Sequence, residues 1–303
     1  EAIYGQTDSG MTIIEGHLFL NGKKPIQHRS SYGLGEVIKA ALDNHTEHLV
    51  ISLGGIGSFD GGAGMLQALG ATFYDDEAQI VDMRKGADLI KYIRRIDLSG
   101  VHPQLTKVNI QLMSDFSSRL YGKKSEIMQT YESLDLSQNE AAEIDNLIWY
   151  FSELFKNELK IAMGPIERGG AGGGIAAVLN SLYQAEILTS HELVNQITHL
   201  ENLIQQADLI IFGEGLKEED QILETTTIRI AELTQQYSKP AIAICATNDK
   251  FDLFESLNVT AMFNTFIDMP DSYTDFKMGI QIRHYTVQAL KLLKTQINLP
   301  LSS

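Results

Sequence analysis

The sequence predicts an α/β protein with two α/β domains, mostly parallel sheets and a cleft between the domains. Three short apolar runs, at residues 49–53, 209–212 and 241–246, are typical of strands buried on both faces. Each run ends in a polar or glycine-rich turn, and helical patterns alternate with the runs along the chain. A length of 303 residues is sufficient for two domains.

The order of these elements suggests how the chain is divided. We expect residues 1–50 and 210–303 to form one domain, whose N-terminal portion this sequence lacks, and residues 51–209 to form the other. Residues 1–16 predict two strands around a turn, and residues 33–42 predict an amphipathic helix leading into the strand at 49–53.

Composition and charge exclude several classes of protein. Hydrophobic residues make up 44% and charged residues 21%, which is typical of a globular fold. The net charge of −15 argues against nucleic acid or an anionic membrane as a partner. Cys245 is the only cysteine, and no apolar run approaches the ~18 residues of a membrane-spanning helix. We therefore expect a cytoplasmic protein without a membrane or nucleic-acid partner.

A glycine cluster lies between the apolar run at 49–53 and a helical pattern. Glycine lets a ligand approach the backbone closely, and N–H groups at a helix start favour an anion, so phosphate or carboxylate is the expected guest. Asp60 would oppose an anion unless it binds a metal ion or accepts a proton. A tight turn capped by Asp60 is the alternative. The candidate anion-binding residues here are Gly54, Gly55, Gly57, Ser58, Gly61 and Gly62.

A second glycine cluster opens another helical pattern. Gly170, Gly172 and Gly173 permit close backbone approach, and Arg168 could pair with an anion. Two glycine clusters in one chain favour a shared ligand cleft over two unrelated turns. Ser31, at the predicted start of the helix at 33–42, could bind a polar ligand or cap the helix.

Two carboxylates follow predicted strands, where α/β proteins usually place their sites. Asp115 follows the strand expected at residues 107–113. Glu214 lies between Gly213 and Gly215 in a sharp turn after the strand at 209–212. Both are candidates for contact with a ligand.

Taken together, these stretches resemble bacterial glycerate kinase of the first class. That family carries segments like SYGTGELI, GIGGSATNDGGAGMLQALG, GAGAAGGLGAAL and DLVITGEGRxDxQT. Their counterparts here are residues 31–38, 53–70, 169–179 and 208–215, in the same order. The run DGGAGMLQALG is highly specific.

The resemblance implies transfer of the γ-phosphoryl group of ATP to a hydroxyl of D-glycerate, usually giving 2-phosphoglycerate, with Mg²⁺. By the same resemblance Asp60 would be the base or orienting group. Asp115 and Glu214 would hold metal or substrate hydroxyls, with Mg²⁺ at Asp60 and Asp115. The glycine loops would cradle phosphate and the glycerate carboxylate. The partner is then a small molecule, and a homodimer is left open.

The sequence also departs from the family pattern. It begins after the DSFKGS-like and ADGGEGT-like motifs, and Leu216 and Thr225 stand where the family has cations. Loss of fixed positive charge weakens the stabilisation of a polyanion. The alternative is therefore a catalytically impaired paralogue that binds a small anion or nucleotide as a regulator. A dinucleotide-dependent oxidoreductase is a third reading, which depends on the glycine loops alone.

Overall fold

The apolar runs form strands in two separate, mostly parallel sheets of a computed structural model. The structure describes residues 4–7, 10–20, 24–55, 57–214, 226–245, 251–264 and 275–294. The chain divides into two compact units, Glu1–Thr189 and Ser190–Ser303. The mixed α/β class and the mostly parallel sheets predicted from the sequence are confirmed.

The main sheet of the first unit has five strands in the order β1-β2-β3-β6-β7. β1 pairs antiparallel with β2, and every other pair in this sheet is parallel. A separate antiparallel pair is formed by β4 and β5. The strands are β1 (Gly5–Gln6), β2 (Met11–Glu15), β3 (His48–Ser52), β4 (Thr72–Tyr74), β5 (Arg95–Asp97), β6 (Asn109–Met113) and β7 (Glu186–Leu188).

Helices cover this sheet and complete the core. The longest begins with a capping box between Ser137 and Glu140 and buries an apolar stripe. Phe151 in this stripe packs edge-on against Phe73 and Phe155. The α-helices are α1 (His17–Leu20), α2 (Tyr32–Asp43), α3 (Ala63–Ala68), α4 (Glu126–Thr130), α5 (Gln138–Leu159) and α6 (Ile175–Tyr183). Short 3-10 helices span Ile26–His28, Met83–Lys85, Ala87–Tyr92, Pro103–Thr106 and Glu132–Leu134.

The second unit is built on a three-stranded parallel sheet in the order β10-β9-β8. The central strand is buried along its whole length, and Phe212 packs edge-on against Phe254 below the sheet. The elements are α7 (Ser190–Thr198), α8 (Leu200–Gln206), β8 (Ile210–Glu214), α9 (Thr226–Gln236), β9 (Ala241–Cys245), α10 (Phe251–Ser256), β10 (Ala261–Asn264) and α11 (Asp275–Lys294).

The structure divides the chain differently from the expected division into residues 1–50 with 210–303 and 51–209. β2 runs parallel to β3, pairing Met11 with His48 and Glu15 with Ser52. The described N-terminal residues therefore share a sheet with residues 48–188, and not with β8, β9 and β10. Pairing between distant strands depends on tertiary register, which local sequence patterns do not encode. None of the described helices is long and apolar enough to cross a membrane.

Candidate functional site

The carboxyl ends of four parallel strands of the first unit meet at one edge of the sheet. β2, β3, β6 and β7 all end there, and Ser52 pairs with Met113 in the last position of β3 and β6. Gly54 and Asp115 each follow this pair by two residues. Ligands of open α/β sheets bind outside the carboxyl ends of the strands, so this edge is the candidate site.

Gly54 and Gly55 present exposed backbone at this edge. A Cβ atom added to Gly54 would have no neighbour nearer than Ser52 Oγ, at 4.0 Å, whereas one added to Gly55 would lie 3.3 Å from His17 Cβ. Within the described part of the chain, no residue accepts a hydrogen bond from either glycine amide. Two exposed amides to which the described residues offer no acceptor can bind a phosphate or carboxylate oxygen.

Arg29 places a cation against the same loop, and our reading of the sequence missed it. Its Nη1 donates to the Gly57 carbonyl at 3.3 Å, and its Nε donates to the Lys24 carbonyl at 2.8 Å. Because an anion has to bind a protein of net charge −15, a guanidinium that contacts Gly57, in the same glycine cluster as the exposed Gly54 and Gly55, matters for the local potential. No sequence signal separated Arg29 from other basic residues in a polar segment.

Asp60 lies beneath the loop and is fully buried. Its Oδ2 accepts from the Ser31 amide at 2.7 Å, from Ser31 Oγ at 2.9 Å and from the Gly64 amide at 3.1 Å. Its Oδ1 accepts from the Gly62 amide at 3.0 Å. Burial raises the pKa of Asp60, whereas the donors from Ser31, Gly62 and Gly64 oppose that rise. The carboxylate thus ties the start of α2 to the start of α3.

This arrangement does not support the predicted catalytic and metal-binding roles of Asp60. A general base must come within hydrogen-bond distance of the proton it removes, and Asp60 has no exposed surface. Ser31 is equally buried, and its Oγ accepts from the Met65 amide at 2.8 Å while donating to Asp60. It occupies the N-cap position of α2 without a side-chain capping bond, so neither predicted role of Ser31 is seen. Both side chains stabilise the loop from below.

The second glycine cluster binds an internal anion. Gly172, Gly173 and Gly174 have φ values of 64°, 63° and 104°, a left-handed run that turns their amides to one side. Glu126 Oε2 accepts from the Gly173 amide at 3.3 Å, and the Gly172 amide also bonds this carboxyl. Burial raises the pKa of Glu126 to about 7, and the hydrogen bonds from these two amides limit that rise. The sequence analysis did not identify Glu126.

The two glycine clusters, which we expected to line a shared ligand cleft, pack directly on each other. The Gly61 amide donates to the Gly173 carbonyl at 3.0 Å, and a Cβ atom on Gly173 would overlap the Ser58 carbonyl. A Cβ atom on Gly174 would lie 2.8 Å from Gly61 Cα. These glycines are required because two backbones touch.

The phosphate contacts predicted at most of the glycines are therefore not supported by the geometry. Their amides bond protein acceptors or lie buried, because the absence of side chains at these glycines lets other parts of the chain pack against their backbone. The Gly170 amide, for example, donates to the Ser118 carbonyl at 3.3 Å. Buried members of the predicted set are Gly57, Ser58, Gly61, Gly62, Gly170, Gly172 and Gly173.

The remaining predicted residues are placed as follows. Asp115 is half-buried just beyond β6, and half-buried Arg168 begins the second cluster with a φ of 54°. In the second unit, Gly213 and Glu214 are the last residues of β8, with Glu214 paired to Cys245 of β9. Gly215 lies outside the described residues. The roles proposed for these residues stay predictions.

The described residues contain no group of three or more His, Cys, Asp or Glu side chains that could hold a metal ion. Asp60 does not fit a metal ligand, because its two oxygens already accept hydrogen bonds from Ser31, Gly62 and Gly64. Asp115 fits as a single carboxylate ligand, and Mg²⁺ often binds through one or two carboxylates together with substrate phosphates.

A parallel α/β unit with exposed glycine amides, a guanidinium and a carboxylate near its carboxyl edge is typical of the class of proteins that bind small anions. Comparison with known proteins narrows that class. Residues 9–281 match the model of the glycerate kinase family, so the chain belongs to this family.

Individual relatives agree with this assignment. The chain is 31% identical to a glycerate kinase of Halalkalibacterium halodurans, over 82% of this chain and 66% of that protein. It is 29% identical to glycerate 2-kinase of Escherichia coli K12, over 78% of this chain and 61% of that protein. A crystal structure provisionally named glycerate kinase 2, from Salmonella typhimurium LT2, superposes with a TM-score of 0.79 at 26% identity, covering 98% of this chain and 80% of that one. The chain thus spans somewhat less than two thirds of the length of these two curated relatives.

Proposed function

We propose that the protein is an ATP-dependent kinase that phosphorylates D-glycerate to 2-phosphoglycerate, or acts on a related small hydroxy acid. The observation that carries the proposal is the family match over residues 9–281, which includes the whole carboxyl edge of the first sheet. Relatives named glycerate kinase support the substrate class. The exposed glycine amides support binding of an anion.

Three groups at the carboxyl edge would bind the substrate. The amides of Gly54 and Gly55 would donate to a carboxylate or phosphate, and Arg29 would add positive charge beside them. Phosphoryl transfer depends mainly on positioning and on stabilising charge spread over the phosphoryl oxygens, which these groups can provide. Gly54 and Gly55 belong to the loop that ends at Asp60, and Arg29 lies two residues before Ser31, whose amide Asp60 binds, so Asp60 would help to hold all three groups in place before the substrate arrives.

Asp115 would orient the substrate hydroxyl. The hydroxyl oxygen attacks the γ-phosphorus, the bond from that phosphorus to the β,γ-bridging oxygen breaks, and the hydroxyl proton passes to the Asp115 carboxylate. Asp115 would also be the carboxylate that holds Mg²⁺, and the ion would supply positive charge that neutralises the nucleotide phosphates. His17 lies exposed beside Gly55 and is a second side chain at this edge that could accept the proton. For Glu214, which lies in the second unit, a substrate or metal contact stays a prediction from the sequence.

A coupled assay of ADP release tests the proposal. With the protein, ATP, Mg²⁺ and D-glycerate, we expect turnover within the ~1–100 per second that is typical of kinases. Phosphorus NMR of the product would then distinguish 2-phosphoglycerate from its 3-phosphate isomer. Measurable binding of ATP or glycerate without ADP release would contradict the proposal and leave only a binding protein.

Arg29→Met is the matching variant for the anion site. We expect the KM for glycerate to rise at least about tenfold, because a charged hydrogen-bond partner is lost. Arg84→Met is the control, since Arg84 is exposed and paired with Asp82. Equal KM values for the two variants would remove Arg29 from the proposed site.

A further inference from the structure

Glu126 is a buried carboxyl group that the proposed reaction does not use. It is the first residue of α4 and follows Ser125, whose side chain caps the helix by accepting from the Met128 amide at 3.4 Å. Only 7% of Glu126 is exposed. A carboxyl group is rarely buried without partners that compensate for its lost hydration. Its partners are the amides of Gly172 and Gly173.

The geometry of these glycines explains why a carboxyl group lies there. Successive backbone amides in a tight turn can form a concave surface that binds anions. In this protein a side chain of the same chain fills that concavity, and its burial excludes an external phosphate. The contact therefore fixes the shape of the second glycine cluster.

Hydrogen bonds connect this contact to the loop that precedes α3. Gly173 donates its amide to Glu126 at 3.3 Å and accepts from the Gly61 amide at 3.0 Å. Gly61 follows Asp60, whose carboxylate holds the Ser31 amide at 2.7 Å. The carboxyl end of the loop that begins at Gly54 is thus anchored by two buried acids. Asp60 lies in the first glycine cluster, and Glu126 binds the second.

We propose that Glu126 is a positioning residue for the anion site at Gly54 and Gly55, acting through the Gly173 to Gly61 hydrogen bond. It does not touch the substrate. It holds the second glycine cluster in the shape that keeps the first loop ready to bind. The choice of glycerate as the test ligand rests on the proposed function, whereas the positioning itself does not.

The test compares three variants. Glu126→Met removes the acceptor at similar volume, and Glu126→Gln keeps an acceptor oxygen without the charge. Ile127→Ala is the matched control, because Ile127 is the next residue of α4, is fully buried in the core and has no acceptor for the glycine amides, so its truncation destabilises without removing a hydrogen bond. All three are measured at a temperature at which each variant remains folded.

Two readouts separate positioning from general destabilisation. We expect Glu126→Met to accelerate amide hydrogen exchange at residues 57–66 and 169–175 at least about tenfold, and to raise the KM for glycerate about tenfold with kcat within about threefold. In Glu126→Gln, both the exchange rates and the KM should stay close to their wild-type values. Ile127→Ala should leave exchange at these residues and KM close to wild type.

A failure of the positioning role can be distinguished from a failure of the proposed function. If Glu126→Met and Ile127→Ala behave alike in exchange, or if exchange rises in Glu126→Met while KM does not, the positioning role is wrong. If the wild-type protein has no turnover with glycerate, the proposed function fails. Inorganic phosphate binding by calorimetry then replaces KM, and Glu126→Met should weaken it about tenfold while Ile127→Ala leaves it unchanged; equal affinities would overturn the positioning role.

Discussion

Two glycine-rich stretches of similar composition have opposite surroundings in this protein. Residues 169–174 are buried against residues 58–61, and their amides include donors to Glu126 and Ser118. Gly54 and Gly55 lie exposed at the carboxyl edge of the sheet, and none of the described residues accepts from their amides. A glycine loop therefore marks a ligand site only where its amides remain available to a ligand.

The largest effect expected from this contrast is on folding. Gly173→Ala should cost at least about 5 kcal/mol or prevent folding, because the new Cβ would overlap the Ser58 carbonyl at a φ of 63°. Gly54→Ala should cost less than about 1 kcal/mol, since it has open space. Urea unfolding of both variants measures the difference. Similar losses would show that the two stretches are not distinct.

The next effect concerns the buried acid below the exposed loop. Asp60→Ala should lower the free energy of unfolding by about 4 kcal/mol, because buried donors from Ser31, Gly62 and Gly64 lose their acceptor. Asp60→Asn should lose less unfolding free energy, since one oxygen remains to accept hydrogen bonds. Asp97→Asn, at a half-buried carboxylate in β5, is the control. If Asp60→Asn unfolds like wild type but has lost turnover, Asp60 is catalytic after all.

A smaller effect concerns the pH dependence of stability. The pKa of Glu126 is about 7 in the folded protein, against an ordinary value of 4.5. The folded state therefore binds this proton more tightly than the unfolded state. Its contribution is fully present below about pH 4.5 and is lost as pH rises through about 7, by up to about 3 kcal/mol.

Glu126→Gln isolates this contribution. Burial also raises the pKa of Asp60 and Asp145, so the wild-type curve contains several groups. The difference in unfolding free energy between wild type and Glu126→Gln, measured from about pH 5 to about pH 8, should shift in favour of the variant as pH rises. A difference that does not vary with pH would mean that Glu126 ionises normally.

Much of the fold follows from local patterns. The runs at 49–53, 209–212 and 241–246 became β3, β8 and β9, because continuous apolar residues require burial on both faces of a sheet. Patterns alone do not show where one helix ends and the next begins: α7 and α8 are separated by His199, whose φ is 53°. The domain division could not be predicted, because the pairing of β2 with β3 joins strands more than thirty residues apart.

The site was predicted less completely for a related reason. Sequence shows that glycines cluster and that Asp60 lies among them, but it does not show which way the amides and the carboxylate point. Glu126 lies in a charged segment and resembles an ordinary residue of a first helical turn. Only the fold brings it against Gly172 and Gly173. The position of Asp115 just after a strand could be predicted from the sequence, and its role there stays a prediction.

The most direct test of the account is the kcat/KM of Asp115→Asn for D-glycerate, measured beside Asp97→Asn, the same change at a half-buried carboxylate away from the carboxyl edge. If the exposed edge carries the chemistry, Asp115→Asn loses at least about 100-fold in kcat/KM while unfolding at the wild-type midpoint, and Asp97→Asn retains wild-type turnover. A kcat/KM for Asp115→Asn within about threefold of wild type would contradict the account.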